Sequence, residues 1–439
     1  DGEYNIGGLT GDANQKTTFT TSNVSFVGQS EDKTILFNKS ANEGISITAT
    51  LYFDKANDIY FQDLSIMNRA NYGDVASYNE TGRHVAVQED GNKFVYKNVR
   101  LLSTQDTYYT KGTRTYWENG QIHGTTDFIC GDGDVFFNGV LLYEMKKSAM
   151  TAPSTTSTWG YVFQKCIIDG TVSDFNLGRS WNTAKAVFLN TSMKKLPSAG
   201  AWGDPMNSNP QLFAEYKSVT AAGSMIDLSQ RRKSYTSGIT VTLNPVLSDA
   251  EAAKYTVANV LGGNDNWQPQ TLTQQVPAPV LTQNGTKVEW KDEANALAWA
   301  VFKNGKYLAN VATNSFSSAG LAVGDMVTVR AANAMGGLGT ASAALKFGTT
   351  TKVMAPDLNP RYLSTGRYQK LNIAGFENSP IELTLRNGSG RFIHHTRLAA
   401  STGPQELDLS PLGLTGGMYV VVVKSAGKPT KVIHFQIGE

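Results

Sequence analysis

The sequence predicts an all-β protein: a right-handed parallel β-helix followed by two small β-sandwich domains. Three observations support this fold class. A strand-like segment recurs through the first half of the chain, helical periodicity is nearly absent, and the last third consists of short strands separated by turn signals. The 439 residues are enough for two or three domains of ordinary size.

Five segments of the first half share one pattern, with an aromatic residue in the third position and an apolar residue five positions later. They are IYFQDLSI (59–66), FVYKNVRL (94–101), VFFNGVLL (135–142), YVFQKCII (161–168) and AVFLNTSM (186–193). The aromatic residues are 35, 41, 26 and 25 residues apart. A constant strand pattern at irregular spacing indicates stacked coils that form parallel sheets around a shared apolar interior. An antiparallel β-sandwich with coincidental similarity is the alternative.

Two linker-like stretches divide the rest of the chain. NWQPQTLTQQVPAPVL (266–281) precedes short strands that include a KNGK turn, which is a strong hairpin signal. GTTTKVMAPDLNP (348–360) precedes a last β region that also ends in a hairpin. We therefore predict a β-helix over residues 1–271, a fibronectin- or immunoglobulin-like β-sandwich over 276–348, and a C-terminal β-sandwich over 360–439.

Composition excludes several classes of function. The net charge of +2 argues against a strongly basic nucleic-acid binder, and no apolar run has membrane-spanning length. The two cysteines, Cys130 and Cys166, are predicted to be separate buried thiols, although one disulfide is possible. Neither cysteine has metal-ligand neighbours, so no metal site is expected.

The candidate chemistry rests on carboxylates. No G-x-S-x-G, H-E-x-x-H or P-loop motif is present, and three of the five histidines lie in the C-terminal region. Three polar stretches of the repeat region stand out instead: STQDTYYTKG (103–112), HGTTDFICGDGD (123–134) and NLGRSWN (176–182). Each stretch alone is typical of a polar turn.

The spacing of these stretches suggests that they meet. Asp106 and Asp127 are 21 residues apart, about one coil of a repeat protein, so stacking would set them side by side on an outer face. Such a pair tends to keep one carboxyl ionised and one protonated. Arg179 from a later coil would keep one of them charged, and Trp181 offers a flat surface to a sugar ring.

Taken together, the motifs resemble those of the pectin methylesterases, a family of parallel β-helix enzymes. The family segments G-x-Y-x-E, Q-A-V-A-L, Q-D-T-L-Y, G-T-V-D-F-I-F-G and L-G-R-P-W occur in the same order as segments of this chain. Here they read DGEYNI (1–6), RHVAVQEDG (83–91), QDTYY (105–109), GTTDFICG (124–131) and LGRSW (177–181). The resemblance covers roughly residues 1 to 270.

The resemblance implies a role for each matching residue. Asp127 would be the nucleophile, Asp106 the general acid and base, Gln105 an amide donor to the oxyanion, and Arg179 the residue that holds Asp127. Trp181 and Tyr109 match aromatic substrate contacts. The implied substrate is methyl-esterified homogalacturonan, with no metal or cofactor, no nucleic acid and no membrane span, and we expect a monomer.

The sequence departs from the family pattern at several positions. The family glutamine of Q-A-V-A-L falls at Arg83, so a second oxyanion donor is lost or replaced by a cation; we keep Arg83 as a substrate-binding residue. Cys130 stands where the family has a phenylalanine that contacts substrate, and Ser180 replaces a proline. These departures affect the expected substrate binding more than the expected type of reaction.

Two other functions remain open. A calcium-dependent pectate lyase would use GDGD (131–134) as a calcium loop, and a non-catalytic pectin-binding β-helix would use the same face as a docking surface. The C-terminal region resembles the sorting domains of the type IX secretion pathway, so we expect a secreted, periplasmic or cell-surface protein. Because the chain begins at Asp1 without a leader, we expect a leader to have been removed or the numbering to start inside a longer protein.

Overall fold

The computed structural model describes residues 1–112, 114–317, 319–348, 361–365, 368–373 and 376–437. The chain divides into two compact units, one comprising Asp1–Gly348 and the other beginning at Thr349. Residues 349–360, which include most of the predicted second linker and the predicted start of the C-terminal domain at 360, lie outside the described residues.

The first unit is built on a parallel β-helix, as predicted. Each coil passes in turn through three parallel sheets, called here the first, second and third sheet. Two long strands, Leu51–Asn68 and Val87–Leu102, bend through all three sheets. Because these pairings are parallel, the antiparallel sandwich alternative for this region is wrong. The handedness of the coil stays a prediction.

The remaining strands each belong to one sheet. The first sheet contains Thr17–Phe19, Tyr108–Thr110, Ile129–Gly131 and Thr151–Pro153. The second contains Val24–Val27, Arg114–Glu118, Asp134–Asn138, Tyr161–Gln164, Lys185–Leu189 and Leu212–Tyr216. The third contains Gly2–Asn5, Thr34–Asn38, Gln121–Gly124, Leu141–Glu144, Ile167–Gly170, Ser192–Met193 and Val219–Thr220.

The repeated aromatic residues stack along the inside of the second sheet. Ring centroids lie 4.7 Å apart for Phe61 and Tyr96 and 4.5 Å apart for Phe137 and Phe163, and the ring planes in each pair are nearly parallel. The structure adds one member, Trp117, which pairs with Tyr96 on one side and Phe137 on the other. The 41-residue spacing in the sequence therefore contains a further coil.

Outside the coils and before residue 276, the described part of the first unit has two hairpins and three short helices. The hairpins pair Tyr72–Asp74 with Ser77–Tyr78 and Ser234–Ser237 with Ile239–Thr242, and the helices are Asp249–Ala252, Val257–Leu261 and Pro269–Leu272. None of the helices in the described part of the chain has the length and apolar character needed to cross a membrane.

Residues 282–346 form two small antiparallel sheets around one hydrophobic cluster. One sheet contains Thr282–Asn284, Lys287–Glu289 and Ser315–Ser317; the other contains Ala298–Lys303, Lys306–Val311, Met326–Ala332 and Leu345–Lys346. The predicted KNGK hairpin is confirmed: Lys303 pairs with Lys306, and Asn304 and Gly305 both have positive φ, as a type I′ turn requires.

The second unit also holds two small antiparallel sheets around a hydrophobic cluster. The predicted terminal hairpin is present as Gly417–Ser425 paired with Lys428–Ile437. The other strands are Arg361–Thr365, Tyr368–Ile373, Ile381–Asn387, Phe392–Leu398 and Gln405–Asp408, with a short 3-10 helix at Ser410–Leu412.

Both cysteines are free and buried, as predicted. Cys166 belongs to the apolar interior of the coils. Cys130 lies in the first sheet between Tyr109 and Ala152 on the neighbouring coils, and its neighbour Ile129 is the residue that faces the interior. Because side chains alternate along a strand, the Cys130 side chain points away from the interior of the coils, where other residues cover it.

Candidate active site

Asp106 and Asp127 occupy equivalent positions on consecutive coils. Each stands two residues before a strand of the first sheet, and those strands pair Tyr108 with Ile129. Both aspartates have positive φ, 58° and 49°, and both are only 5% exposed. The predicted juxtaposition of the two carboxylates is therefore present.

Arg179 holds Asp127 by a bidentate ion pair. Its Nε donates to Asp127 Oδ1 at 3.0 Å and its terminal nitrogen donates to Oδ2 at 2.6 Å. The backbone positions the arginine, because Arg179 N donates to Thr151 O on the preceding coil. The coils approach so closely here that a Cβ on Gly178 would lie 2.3 Å from Thr151 Oγ1, which explains the glycine before the arginine.

The two carboxyls differ in their affinity for a proton. Burial, with a further contribution from the charge of Asp127, raises the pKa of Asp106 to about 8. Burial also raises the pKa of Asp127, but the Arg179 guanidinium opposes that rise through its hydrogen bonds and charge. The pair can therefore hold one proton near neutral pH, and Asp106 is its preferred place. Burial has a larger effect on Asp106 than the neighbouring carboxylate does.

Arg83 and Gln105 lie beside Asp106. Their backbones form a parallel bridge between consecutive coils, and Gln105 directly precedes Asp106. The Arg83 side chain is 44% exposed and forms a bidentate ion pair with Glu43, at 2.9 Å from Nε to Oε2 and 2.8 Å from its terminal nitrogen to Oε1. Sequence reasoning missed Glu43, since residues 39–50 carry no recognisable motif.

Tyr109 and Trp181 form a pair of partly exposed rings next to the carboxylates. Their centroids are 6.1 Å apart, and the ring planes make an angle of 43°. Burial raises the pKa of Tyr109 to about 12, with the charges of Cys130 and Asp106 contributing. All seven residues predicted for the site thus come together on neighbouring coils of one face.

The other two aspartates of HGTTDFICGDGD (123–134), Asp132 and Asp134, have structural partners. Asp132 Oδ1 accepts hydrogen bonds from Gly133 N and Thr156 N. Asp134 Oδ1 accepts from Ser157 Oγ, Trp159 N and Gly160 N, each at 2.7 Å. These bonds hold the equivalent connection on the next coil, which follows Thr151–Pro153, as expected of turn residues. Within the described residues, no group of three or more His, Cys, Asp or Glu side chains is arranged to hold a metal ion.

Similarity to known proteins covers the coiled region. The family model "Pectinesterase" matches residues 10–264, more than half of the chain. Pectinesterase 1 of Arabidopsis thaliana is 29% identical over 271 residues, which are 57% of this chain and 43% of that protein. The chain spans 27%, 63% and 43% of the length of three curated relatives that it matches, less than two thirds in each case.

Solved structures of similar proteins include two pectin methylesterases. The enzyme PemA from Erwinia chrysanthemi is 26% identical with a TM-score of 0.48, and the alignment covers 61% of this chain and 87% of that one. The enzyme from carrot is 19% identical with a TM-score of 0.49, covering 62% and 85%. On the family match over residues 10–264, this chain belongs to the pectinesterase family.

Proposed function

We propose that this protein is a pectin methylesterase, which hydrolyses the methyl esters of homogalacturonan to methanol and pectate. The single observation that carries the proposal is the unequal carboxyl pair: Asp127 is fixed by Arg179, and the adjacent Asp106 has a pKa raised to about 8. Ester hydrolysis through a covalent intermediate needs such a division between a carboxylate and a protonated acid.

Asp127 serves as the nucleophile in this proposal. A carboxylate oxygen of Asp127 attacks the ester carbonyl carbon, and the carbonyl electron pair moves to oxygen to form a tetrahedral oxyanion. When that intermediate collapses, the bond to the methoxy oxygen breaks, and Asp106 gives its proton to the departing methanol. The product is an anhydride between Asp127 and the galacturonate carboxyl.

Water completes the cycle. Asp106, now ionised, removes a proton from a water molecule that attacks the anhydride, and Asp127 leaves as a carboxylate. Gln105 is placed beside Asp106, where its amide can donate to the oxyanion; one such donor is worth about 3 kcal/mol. Each step uses only protein groups and water, so we propose that the reaction needs no metal or cofactor.

Tyr109 and Trp181 form the proposed sugar-binding surface, and Arg83 adds a positive charge beside it. Aromatic faces pack against the apolar faces of sugar rings, and a guanidinium favours the carboxylates that demethylation produces. The substrate is therefore a methyl-esterified polymer of uronic acid that already carries some free carboxylates.

The test is methanol release from highly methylated pectin in the presence of a chelator. Asp127→Asn keeps the size of the side chain but removes the nucleophilic charge, so we expect kcat to fall on the order of 10³-fold or more. Circular dichroism would check that the fold persists. Methanol release by Asp127→Asn at the wild-type rate would contradict the proposal, as would a product that absorbs ultraviolet light through an unsaturated bond.

For the region after residue 275, the proposal extends to two β-sandwich modules and to export. Support comes from the small antiparallel sheets of both units and from the sequence resemblance of residues 360–439 to sorting domains. We propose that the protein is exported and acts as a monomer on cell-wall pectin. Deletion of residues 360–439 should keep the protein inside the cell, and export of the shortened chain would contradict this.

A further inference from the structure

The site contains two aspartates and two arginines, but only one aspartate is paired. Arg179 forms two hydrogen bonds to Asp127. Asp106 is as deeply buried as Asp127, and among the described residues no side chain forms an ion pair or hydrogen bond with its carboxyl group. Arg83 is close enough for its charge to act on Asp106, because each of these two groups shifts the pKa of the other.

Glu43 explains why Arg83 does not pair with Asp106. The Glu43 carboxylate accepts from Arg83 Nε at 2.9 Å, from its terminal nitrogen at 2.8 Å, and from its backbone N at 3.2 Å. A backbone bond from Gly44 N to Arg83 O, at 2.9 Å, fixes the segment that carries Glu43 against Arg83. Glu43 therefore occupies the Nε edge of the Arg83 guanidinium, the edge that forms bidentate pairs with carboxylates.

We propose that Glu43 is a positioning residue, which holds the Arg83 guanidinium so that it cannot form an ion pair with Asp106. The inference rests on the proposed esterase function, in which Asp106 must carry a proton when methanol leaves. A guanidinium fork on Asp106 would keep that carboxyl ionised and remove the general acid. Glu43 thus keeps a cation at the site for substrate while leaving the acid unpaired.

The charges around Asp106 support this arrangement. Arg83 and Arg179 lower the pKa of Asp106, whereas Asp127 and Glu43 raise it. Tyr109 and Cys130 also face it, since the charge of Asp106 raises the pKa of both. Removal of the Glu43 charge acts twice in one direction: it deletes a charge that raises the pKa of Asp106, and it frees Arg83 to lower that pKa further.

The test compares pH profiles of methanol release by the wild type, Glu43→Gln, Arg83→Gln and the double variant. We expect Glu43→Gln to move the alkaline limb of kcat down by about one pH unit or more, with roughly 10-fold lower kcat near pH 8. Arg83→Gln should move that limb up. The alkaline limb of the double variant should lie at a higher pH than that of Glu43→Gln, because the double variant has no guanidinium that could pair with Asp106.

Glu80→Gln is the matched control, since Glu80 forms a similarly exposed ion pair with Lys146 at 2.7 Å. Its alkaline limb should stay at the wild-type position. The positioning role would be overturned if the alkaline limb of Glu43→Gln stayed at the wild-type position. It would also be overturned if the limb of the double variant lay at as low a pH as that of Glu43→Gln. If the wild type releases no methanol, the proposed function fails instead. In that case, carboxyl ¹³C NMR of Asp106 in Glu43→Gln still tests the positioning role, which requires its pKa to fall.

Discussion

Asp106 and Asp127 share a backbone conformation that few side chains adopt. Both have φ in the left-handed region, where Asp and Asn are tolerated better than most residues because their short polar side chains can bond locally. The same turn on two consecutive coils directs both side chains the same way. The backbone thereby creates the carboxyl pair. Burial raises the pKa of both groups, and the Arg179 guanidinium, which opposes that rise at Asp127, makes the two groups differ.

At this scale we predict that Asp106→Asn stabilises the protein at alkaline pH. The folded-state pKa of Asp106 is raised to about 8, above that of an unfolded aspartate near 3.9. Its contribution to stability is therefore fully present below the unfolded value and is lost as pH rises to about 8. Asparagine removes the charge, so this loss should vanish.

The measurement is the melting temperature of wild type and Asp106→Asn at pH 5 and pH 9. The melting temperature of the variant, relative to that of the wild type, should be several degrees higher at pH 9 than at pH 5. An equal difference at both pH values would mean that Asp106 is not held protonated by the fold.

At the scale of single elements, the aromatic stack of the second sheet sets the register of the coils. Tyr96 and Trp117 have the closest ring centroids of the pairs around them, 4.1 Å apart. Trp117 fits the pattern of the other coils, with Ile122 five positions later, but it has Gly120 three positions later, where no other coil has a glycine. A Cβ on Gly120 would lie 2.3 Å from Val99 O, so only glycine fits.

Trp117→Ala should lower the free energy of unfolding by about 3–5 kcal/mol, as expected for a large aromatic residue removed from a packed core. Trp117 is fully buried and contacts rings on both neighbouring coils. Urea unfolding would measure the change, with Tyr307→Ala as the control because that ring is 56% exposed. A loss for Trp117→Ala no larger than for the control would contradict the stacked register.

At the scale of the whole first unit, the sheets of residues 282–346 pack directly on the coils. The terminal nitrogens of Arg330 contact Asp63 Oδ2 at 3.3 Å and Gln29 O at 3.2 Å. Gln62 Nε2 donates to Leu338 O at 2.8 Å. Because Arg330 and Asp63 are only 15% and 12% exposed, the contact resembles a protein interior more than a flexible linkage.

We predict that Arg330→Ala lowers the free energy of unfolding by about 3 kcal/mol, since it leaves a buried carboxylate without its cation. Lys147→Ala is the control: its partner Asp174 is 3.6 Å away and both side chains are mostly exposed, so the change should be under about 1 kcal/mol. Calorimetry would measure both. Independent melting of residues 276–348 in the wild type would contradict the predicted coupling.

The sequence indicated the coils and the neighbouring positions of Asp106 and Asp127 because both depend on repetition. An inward aromatic residue recurs once per coil, so Phe61, Phe137 and Phe163 mark the strands. Positions one coil apart become neighbours, so the 21-residue spacing of Asp106 and Asp127 was enough to bring them together. The ordered motifs around these positions pointed to the same family that the comparison identifies.

Other features followed only from the tertiary structure. The partner of Arg83 is Glu43, 40 residues earlier in the chain, and neither spacing nor motif connects them. Which aspartate retains the proton depends on burial and on the Arg179 fork, which are properties of the folded site. The sequence determines the contacts that repeat along the axis of the coil, because residues one repeat apart become neighbours when the coils stack. Contacts between loops that do not repeat have no such period in the sequence. They, and their effects on neighbouring charged groups, are therefore known only from the folded structure.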